Sequence, residues 1–211
     1  LKDFMGFPAV GKPDLRYATL PVLPHPDLGS HGSVMAVMRN RDILLNYPYH
    51  TFNHFIDLLR EASIDPKVVS IKISLYRLAR NSNVVNALIN AARNGKQVTV
   101  IMELQARFDE KANIYWADRM IEEGVKLLYG VPDLKVHAKL LLITRREQGS
   151  LMNYVNVSTG NYNEATARIY SDHSYFTTDT RISDEVEKIF RFFERNYRTA
   201  SYEHLLVAPF S

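Results

Sequence analysis

A histidine and a lysine separated by one residue form the most reactive pair of side chains in this sequence. His137 offers a nucleophilic imidazole, and Lys139 places a cation beside it. Further along the chain, Gly160 offers a backbone that a ligand can approach closely, and Asn161 offers an amide side chain. These residue types suit a site at which a histidine attacks a phosphate group held by cations and a loop.

The same histidine and lysine also have an ordinary structural explanation. Residues 134–143 form a short apolar run bounded by polar residues, which predicts a β-strand. Alternation along the strand would place His137 and Lys139 on one face. The strand could end in a cleft that holds an anion, or the histidine could bond to the backbone beside a lysine whose amine reaches solvent. On spacing alone the second interpretation is favoured, because the H-x-K motif is short and common.

Two arginines follow predicted strands at their carboxyl ends. Arg77 comes after a strand that ends at Tyr76, and Arg107 comes after one that ends at Leu104. If the strands are parallel neighbours, both guanidinium groups enter one crevice and could hold phosphate oxygens bidentately. The alternative is that both arginines pair with nearby acids, namely Glu103, Asp109 and Glu110.

Asn161 and Tyr170 have two interpretations each. The Asn161 amide could orient the histidine or contact phosphate, while Gly160 and Asn161 could simply form a turn. Tyr170 would share one face with Arg168 and Asp172 if the chain is extended there, and could stack on a base or donate to phosphate. The alternative for Tyr170 is a half-buried residue of a strand.

Strands and helices alternate along most of the chain. Apolar spacing predicts helices near residues 52–65, 85–95, 109–124 and 182–197, and strands near 68–76, 97–104, 125–129, 134–143, 154–157 and 174–178. In the third helix the predicted buried face consists of Ile114, Ala117 and Ile121, with Asp109 as the N-cap. This order is typical of an α/β fold, in which helices cover a parallel sheet and ligands bind beyond the carboxyl ends of the strands.

The composition limits the kinds of active site that this chain can form and the kind of protein it can be. The chain has 211 residues, enough for one good-sized domain, and its lack of cysteine excludes disulfides, thiolate zinc sites and cysteine nucleophiles. The net charge of +3 permits a polyanionic substrate without requiring one. No apolar run approaches the ~20 residues of a membrane helix. The chain opens at Leu1 without a signal sequence, and its first 33 residues are rich in proline and glycine, so we expect an extended arm and a piece of a longer protein.

Five longer motifs occur in order along the chain, at residues 47–52, 72–77, 103–110, 136–139 and 158–164. Together they resemble the bacterial polyphosphate kinases that have phospholipase D-like catalytic domains. The resemblance implies an α/β fold of the phospholipase D-like sandwich type, with a mixed, mostly parallel sheet and helices on both faces. It also implies three regions, which are an arm from a preceding domain (1–33), the first catalytic domain (34–200) and the start of a linker to a second one (201–211).

The resemblance also gives individual residues a role. His137 matches the histidine that becomes phosphorylated, with Lys139 and Asn161 in supporting positions. Tyr170 matches a residue that contacts the nucleotide. Thr144 departs from the H-x-K-x4-D pattern of phospholipase D enzymes, which argues against a phosphodiesterase.

Arg77 and Arg107 match the two arginines that the family assigns to its magnesium and phosphate site. Arginine has no lone pair for a metal ion and carries a full positive charge. We therefore expect both arginines to bind phosphates that themselves hold Mg2+, which is the implied cofactor.

The implied activity is the reversible transfer of the terminal phosphate of ATP to polyphosphate through a phosphohistidine. The expected partners are ATP, ADP and polyphosphate, with no nucleic acid, no transmembrane segment and a homo-oligomer of the full-length protein. The expected location is the cytoplasm, with membrane association left open. The H-x-K motif occurs once here, whereas the family uses a second histidine in a second domain, so we expect the isolated chain to be inactive. The alternatives are a phospholipase D-like phosphodiesterase or nuclease, and a non-catalytic polyanion-binding piece.

Overall fold

The computed structural model describes residues 20–29, 32–103, 110–197 and 200–210, and these ranges contain five α-helices and seven β-strands. The helices are α1 (Val34–Met38), α2 (Asn53–Ile64), α3 (Asn83–Arg93), α4 (Glu110–Glu122) and α5 (Thr180–Glu194). The strands are β1 (Ile43–Tyr47), β2 (Val68–Leu75), β3 (Gln97–Met102), β4 (Lys126–Tyr129), β5 (Lys139–Glu147), β6 (Ser150–Ser158) and β7 (Asp172–Thr177). None of these helices combines the length and the apolar character needed to cross a membrane.

The strands of the described chain form one sheet in the order β1-β7-β6-β5-β2-β3-β4. The predicted α/β class and mixed sheet are therefore confirmed. β2, β3 and β4 are parallel neighbours, whereas the other four neighbouring pairs are antiparallel. Five of these seven strands point the same way, and the parallel pairs are β2 with β3 and β3 with β4.

The connections explain the direction of the strands. A helix lies between β2 and β3 and another between β3 and β4, and such crossovers bring the next strand back in the same direction. β5 and β6 are joined instead by Gln148 and Gly149, whose φ angles of 45° and 89° fit a two-residue hairpin turn. The sheet is therefore parallel where helices connect its strands and antiparallel where a short turn does.

Each face of the sheet carries a buried core. On one face, α1 to α4 cover a core that includes Leu141 and Ile143 of β5. On the other face, α5 covers a second core that includes Leu140 and Leu142. Alternate residues of β5 enter opposite cores, as the two-residue period of a strand requires. The predicted helices on both faces are confirmed.

The buried face of α4 differs from the prediction. Ala117 is buried as expected, but Ile114 and Ile121 are each more than half exposed. The buried residues of this helix include Asn113, Trp116, Ala117 and Met120. Asn113 is buried because its amide group bonds to three backbone groups that follow β2 and β3. Apolar spacing cannot find a polar residue at the centre of a buried face, and the predicted cap at Asp109 lies outside the described residues.

The described part of the N-terminal arm is attached to the domain by histidines. Leu28 of the arm is buried in the core under α1 and α2. The backbone N–H of His25 in the arm donates to Nε2 of His54 at 2.9 Å, and within the domain the N–H of Asn46 donates to Nδ1 of His50 at 2.9 Å. Both imidazoles act as acceptors in these bonds, so each bond requires the neutral form of its histidine.

Candidate active site

One edge of the sheet gathers the candidate residues. The carboxyl ends of β2, β3, β4 and β6 lie at this edge together with the amino ends of β5 and β7, as the pairing register shows. Lys139 at the start of β5 pairs with Ser158 at the end of β6. The predicted strand at residues 134–143 therefore begins only at Lys139, and His137 lies in the segment that leads into it.

His137 is exposed at this edge and rests against one aromatic ring. Its imidazole meets the ring of Tyr76 edge-on, with centroids 5.1 Å apart and an interplanar angle of 79°. Partial burial lowers the pKa of His137, and the charges of Lys139, Lys135 and Arg77 lower it further. The neutral imidazole, which has a lone pair for attack, is therefore favoured at neutral pH.

Lys139 is a buried cation rather than a lysine that reaches solvent, since only 5% of the residue is exposed. Its Nζ donates to the backbone oxygen of His137 at 2.5 Å. Burial lowers the pKa of Lys139 to about 8, with Arg77 adding to the effect and Asp172 opposing it. The favoured structural explanation of the H-x-K motif is therefore wrong for this lysine, because its amine lies inside the site.

Tyr76 stands at the centre of the cationic cluster and was not among the predicted site residues. The cationic groups of Arg77, Lys135 and Lys139 lie 5.8, 5.5 and 5.3 Å from the centre of its ring. An aromatic face attracts cations without neutralising them. Tyr76 thus brings three positive charges together around one ring. Its position at the end of β2 was visible in the sequence, but its neighbours were not.

Ser74 fixes the backbone of the segment that carries His137. Its hydroxyl donates to the carbonyl of Ala138 at 2.7 Å and accepts from the N–H of Leu140 at 2.9 Å. Backbone pairing between β2 and β5 reaches Ile73 and Leu141, so the hydroxyl takes over where the ladder ends. These partners lie more than 60 residues away in the sequence, and no local pattern indicated this role.

The loop after β6 is built around a carboxylate. The Thr159 hydroxyl donates to Asp172 Oδ1 at 2.7 Å, and a methyl group at Gly160 would overlap the same carboxylate. Glycine is therefore required at position 160 because the Asp172 side chain leaves no room for a Cβ atom there. The carboxylate of Asp172 also acts electrostatically on Lys139, which places this loop beside the cationic cluster.

Two asparagines of this loop have different surroundings. Asn161 has its Oδ1 buried with no hydrogen-bond partner among the described residues. A buried acceptor without a donor is costly, so this oxygen is suited to a donor that arrives with a ligand. Asn163 is satisfied, because its Oδ1 caps the turn at Ala165 and Thr166 and its Nδ2 lies 3.5 Å from the backbone oxygen of Arg77.

The remaining two predicted residues have separate outcomes. Tyr170 is 59% exposed and follows a short 3-10 helix at Thr166–Arg168. The predicted extended face shared by Arg168, Tyr170 and Asp172 is therefore wrong, because the chain is helical at 166–168 and strand pairing begins only at Asp172. Arg107 lies outside the described residues, and its place in the site stays a prediction.

A cavity of about 530 Å3 opens beside His137 on the face covered by α5. Its polar wall is formed by Lys135, His137, Lys139, Ser158 and Thr159. Its apolar wall is formed by α5 and by residues 202–210, which pack back onto that helix. The site therefore has a charged side that suits phosphate and an apolar side opposite it.

Glu185 attaches residues 202–210 to α5. Its carboxylate, 3% exposed as a residue, accepts hydrogen bonds from the backbone N–H groups of Glu203, His204 and Leu205. Burial by itself would raise the pKa of Glu185, but these amide bonds outweigh it and the pKa is lowered. A buried carboxylate thus fixes the apolar wall of the cavity.

The site does not fit a magnesium ion held by the protein alone. The described residues contain no group of three or more histidines and carboxylates that could bind a metal ion. Mg2+ prefers oxygen ligands, and Asp172 is already engaged by Thr159 and lies near the charge of Lys139. The cluster around Tyr76 therefore suits phosphate oxygens, not a bare cation.

Comparison with known proteins identifies the family. A family model described as polyphosphate kinase C-terminal domain 1 matches residues 33–199. The chain belongs to this family. The curated polyphosphate kinase of Escherichia coli strain K12 is 50% identical over 210 residues, which cover 99% of this chain and 30% of that protein. A polyphosphate kinase of Vibrio vulnificus strain YJ016 is 50% identical over 208 residues, with the same shares covered. The chain thus spans 30% of the length of these relatives.

Solved structures agree with this polyphosphate kinase assignment. The crystal structure of polyphosphate kinase from Porphyromonas gingivalis matches 90% of this chain and 32% of that one, with a TM-score of 0.79 and 39% identity. Nuc from Salmonella typhimurium, a phospholipase D family member, matches 74% of this chain and 93% of its own, with a TM-score of 0.57 and 15% identity. The second likeness shows the fold alone. The resemblance inferred from the motifs and the phospholipase D-like fold are both confirmed.

Proposed function

We propose that this chain carries the phosphoryl-accepting site of an ATP:polyphosphate phosphotransferase, with His137 as the residue that becomes phosphorylated. The observation that carries the proposal is a neutral, exposed imidazole set among cations at the strand edge of a polyphosphate kinase fold. Lys139 and Lys135 are near enough to His137 for their charges to lower its pKa. A nucleophile held neutral by the same cations that attract its substrate is the arrangement that histidine phosphorylation needs.

The reaction would proceed in two displacements at phosphorus. A ring nitrogen of His137 attacks the terminal phosphorus of ATP, the P–N bond forms, and the P–O bond to ADP breaks. The terminal oxygen of a polyphosphate chain then attacks the same phosphorus, and the P–N bond breaks. One phosphoanhydride replaces another, so the reaction is close to isoenergetic and reversible. Arg77 and Lys139 would offset the charge on the phosphoryl oxygens during both steps.

The other candidate residues would support this chemistry. The unsatisfied Oδ1 of Asn161 would accept from an imidazole N–H once the ring turns, which would fix the tautomer of the nucleophile. The exposed ring of Tyr170 would contact the nucleotide. Arg107 would join Arg77 at the phosphates. Mg2+ would be held by the phosphate oxygens of ATP and would supply further neutralisation of their charge.

The wider setting is proposed from the family resemblance. Residues 34–200 would form the first catalytic domain, with 1–33 as an arm from a preceding domain and 201–211 leading toward a second one. A second histidine of that domain would act on the leaving group, so we expect near-zero turnover by the 211-residue chain alone. The full-length protein would be a homo-oligomer that uses ATP and polyphosphate and not nucleic acid, in the cytoplasm.

Labelling with γ-32P-ATP tests the proposed nucleophile in the full-length protein. We expect His137→Ala to lose the acid-labile label and to lower turnover on the order of 10³-fold or more, because removal of a nucleophile leaves only binding and charge stabilisation. His204→Ala is the matched control, since His204 is exposed and its hydrogen bonds to Glu185 come from the backbone N–H. Label that persists in His137→Ala would contradict the assignment, and robust hydrolysis of bis-p-nitrophenyl phosphate would favour the phosphodiesterase alternative.

A further inference from the structure

A second cavity, of about 480 Å3, opens on the same face of the sheet as the His137 cleft. It is lined by Lys72, Lys188, Arg191, Phe192, Glu194, Arg195 and Ala200. Four of these seven residues are cations, and none of these four cations has a part in the site described above. The cavity is therefore a strongly basic surface that the proposed chemistry at His137 does not use.

Two strand lysines form the floor of this region. Lys72 of β2 pairs with Thr99 of β3, and Thr99 pairs with Lys126 of β4, so the two lysines flank one buried residue on the same face. Their Nζ atoms lie 3.4 and 3.6 Å from the same Oε1 of Glu194. One carboxylate thus faces two ammonium groups and leaves an excess of positive charge.

Helix α5 adds Lys188 and Arg191 above this floor, and Arg195, which directly follows the helix, adds a third cation. Among the described residues, the carboxylates that form ion pairs with these five cations are Glu187 and Glu194. Five cations against two carboxylates give a local charge of +3, equal to the net charge of the whole 211-residue chain. Cations in the last turn of a helix also suit its dipole. That ordinary explanation does not cover Lys72 and Lys126, which stand on strands.

The basic cavity is next to the His137 cleft. Phe192 lines both cavities, so they share this side chain. Along β2, Lys72 and Ser74 are two residues apart and share a face, and Tyr76 is two residues further on. The Cα atoms of Lys72 and Tyr76 are therefore about 13 Å apart at the usual rise of a strand. Tyr76 contacts His137, so a long anion could reach from the basic cavity to the nucleophile.

We propose that the cavity lined by Lys72, Lys188, Arg191 and Arg195 is a distal phosphate site, which binds inner residues of a polyphosphate chain whose end lies at His137. This proposal rests on the proposed function and names a part of its substrate site. Each phosphate residue of such a chain carries a negative charge, and lysine and arginine bind phosphate oxygens by charge-assisted hydrogen bonds. An exposed site of this kind gains little from any one cation and is weakened by salt.

The proposal predicts an effect that depends on chain length. In the full-length protein, Lys188→Gln combined with Arg195→Gln should raise the KM for long-chain polyphosphate about 3- to 10-fold, since each exposed charge contact contributes a fraction of a kcal/mol up to about 1 kcal/mol. The KM for tripolyphosphate, which is too short to span both cavities, should not change, nor should kcat. Arg60→Gln combined with Arg119→Gln removes the same charge from helices on the opposite face and is the matched control.

Two results would overturn the distal phosphate site. One is an equal change for tripolyphosphate and long chains, and the other is no change for either. A direct binding measurement with the 211-residue chain and fluorescently labelled long-chain polyphosphate separates this proposal from the proposed function. The charge variants should weaken this binding by the same factor even in a His137→Ala background, whereas failure of the phosphohistidine would be seen only in the labelling experiment.

Discussion

The two faces of the sheet are built differently. On the face covered by α1 to α4, helices pack side by side over one continuous core, and α2 and α3 also pack against each other. On the other face a single described helix, α5, and the irregular residues 202–210 cover the strands, and both the His137 cleft and the basic cavity open there. The difference indicates that the face covered by α1 to α4, called here the closed face, supplies most of the stability. The face covered by α5, the open face, leaves room for ligands.

The core of the closed face also contacts the loop that carries Asn161 and Asn163. Tyr162 lies between Asn161 and Asn163, yet its ring stacks on Phe55 of α2 with centroids 4.3 Å apart and an interplanar angle of 10°. The Tyr162 hydroxyl donates toward the backbone and side-chain oxygens of Asn156, within the sheet. The loop that carries the candidate asparagines is therefore positioned by the core on the opposite side of the sheet.

The same substitution on the two faces provides the strongest test of this comparison. Phe55→Ala should lower the free energy of unfolding by about 3–5 kcal/mol, because the ring is fully buried among aromatic neighbours that cannot collapse into the space. Phe192→Ala should cost less than about 3 kcal/mol, because Phe192 borders two open cavities. Urea unfolding of both variants measures the difference, and equal losses would show that the open face is as tightly packed as the closed one.

An intermediate effect is expected at Glu185, which holds residues 202–210 against α5 on the open face. Glu185→Gln should lower the free energy of unfolding by about 1–3 kcal/mol, since a charged acceptor of several backbone N–H groups is replaced by a neutral one. Glu187→Gln is the matched control, because Glu187 makes one helix-surface ion pair with Arg191 and should cost less than about 0.5 kcal/mol. Indistinguishable unfolding midpoints for the two variants would show that residues 202–210 are not held by Glu185.

The smallest effect is a pH dependence on the closed face. Burial is the main cause that lowers the pKa of both His50 and His54, so the unfolded chain takes up protons at a higher pH than the folded one. The stabilisation by these neutral rings is therefore complete above about pH 6.5 and is lost as the pH falls below it. His54→Gln should flatten the decline in the free energy of unfolding between about pH 7.5 and 5.5. An unchanged pH profile in His54→Gln would show that His54 has the same pKa in the folded and unfolded states.

Local sequence patterns were sufficient to predict the helices and strands but not the contacts between them. The signal that predicted α2 and α3 is one buried face in each, and the signal for β2 and β3 is a short apolar run, both of which a single sequence displays. The antiparallel pairing of β5 and β6 depends on the hairpin at Gln148 and Gly149, which apolar spacing does not reveal. The predicted buried face of α4 failed because Asn113 is held in the interior by distant backbone groups.

In the candidate site, too, residue types could be predicted from the sequence, whereas contacts between distant segments could not. The side chains of His137 and Lys139 could be identified from residue type, and their family resemblance is borne out for the chain as a whole. The start of β5 could not be placed, because the Ser74 hydroxyl and not the local apolar run determines where pairing ends. Tyr76 was missed for a related reason, since its role depends on cations that come from two separate segments.

The Ser74 contact has a consequence for hydrogen exchange. The amide of Leu140 is bonded to a hydroxyl oxygen and not to a carbonyl of the neighbouring strand. A hydroxyl can rotate away while the strands on either side remain paired, so this amide can exchange with solvent through a small local opening. Amides deeper in β5 require the sheet itself to separate. Exchange at Leu140 therefore reports how often the segment carrying His137 detaches from β2 while the rest of the protein stays folded.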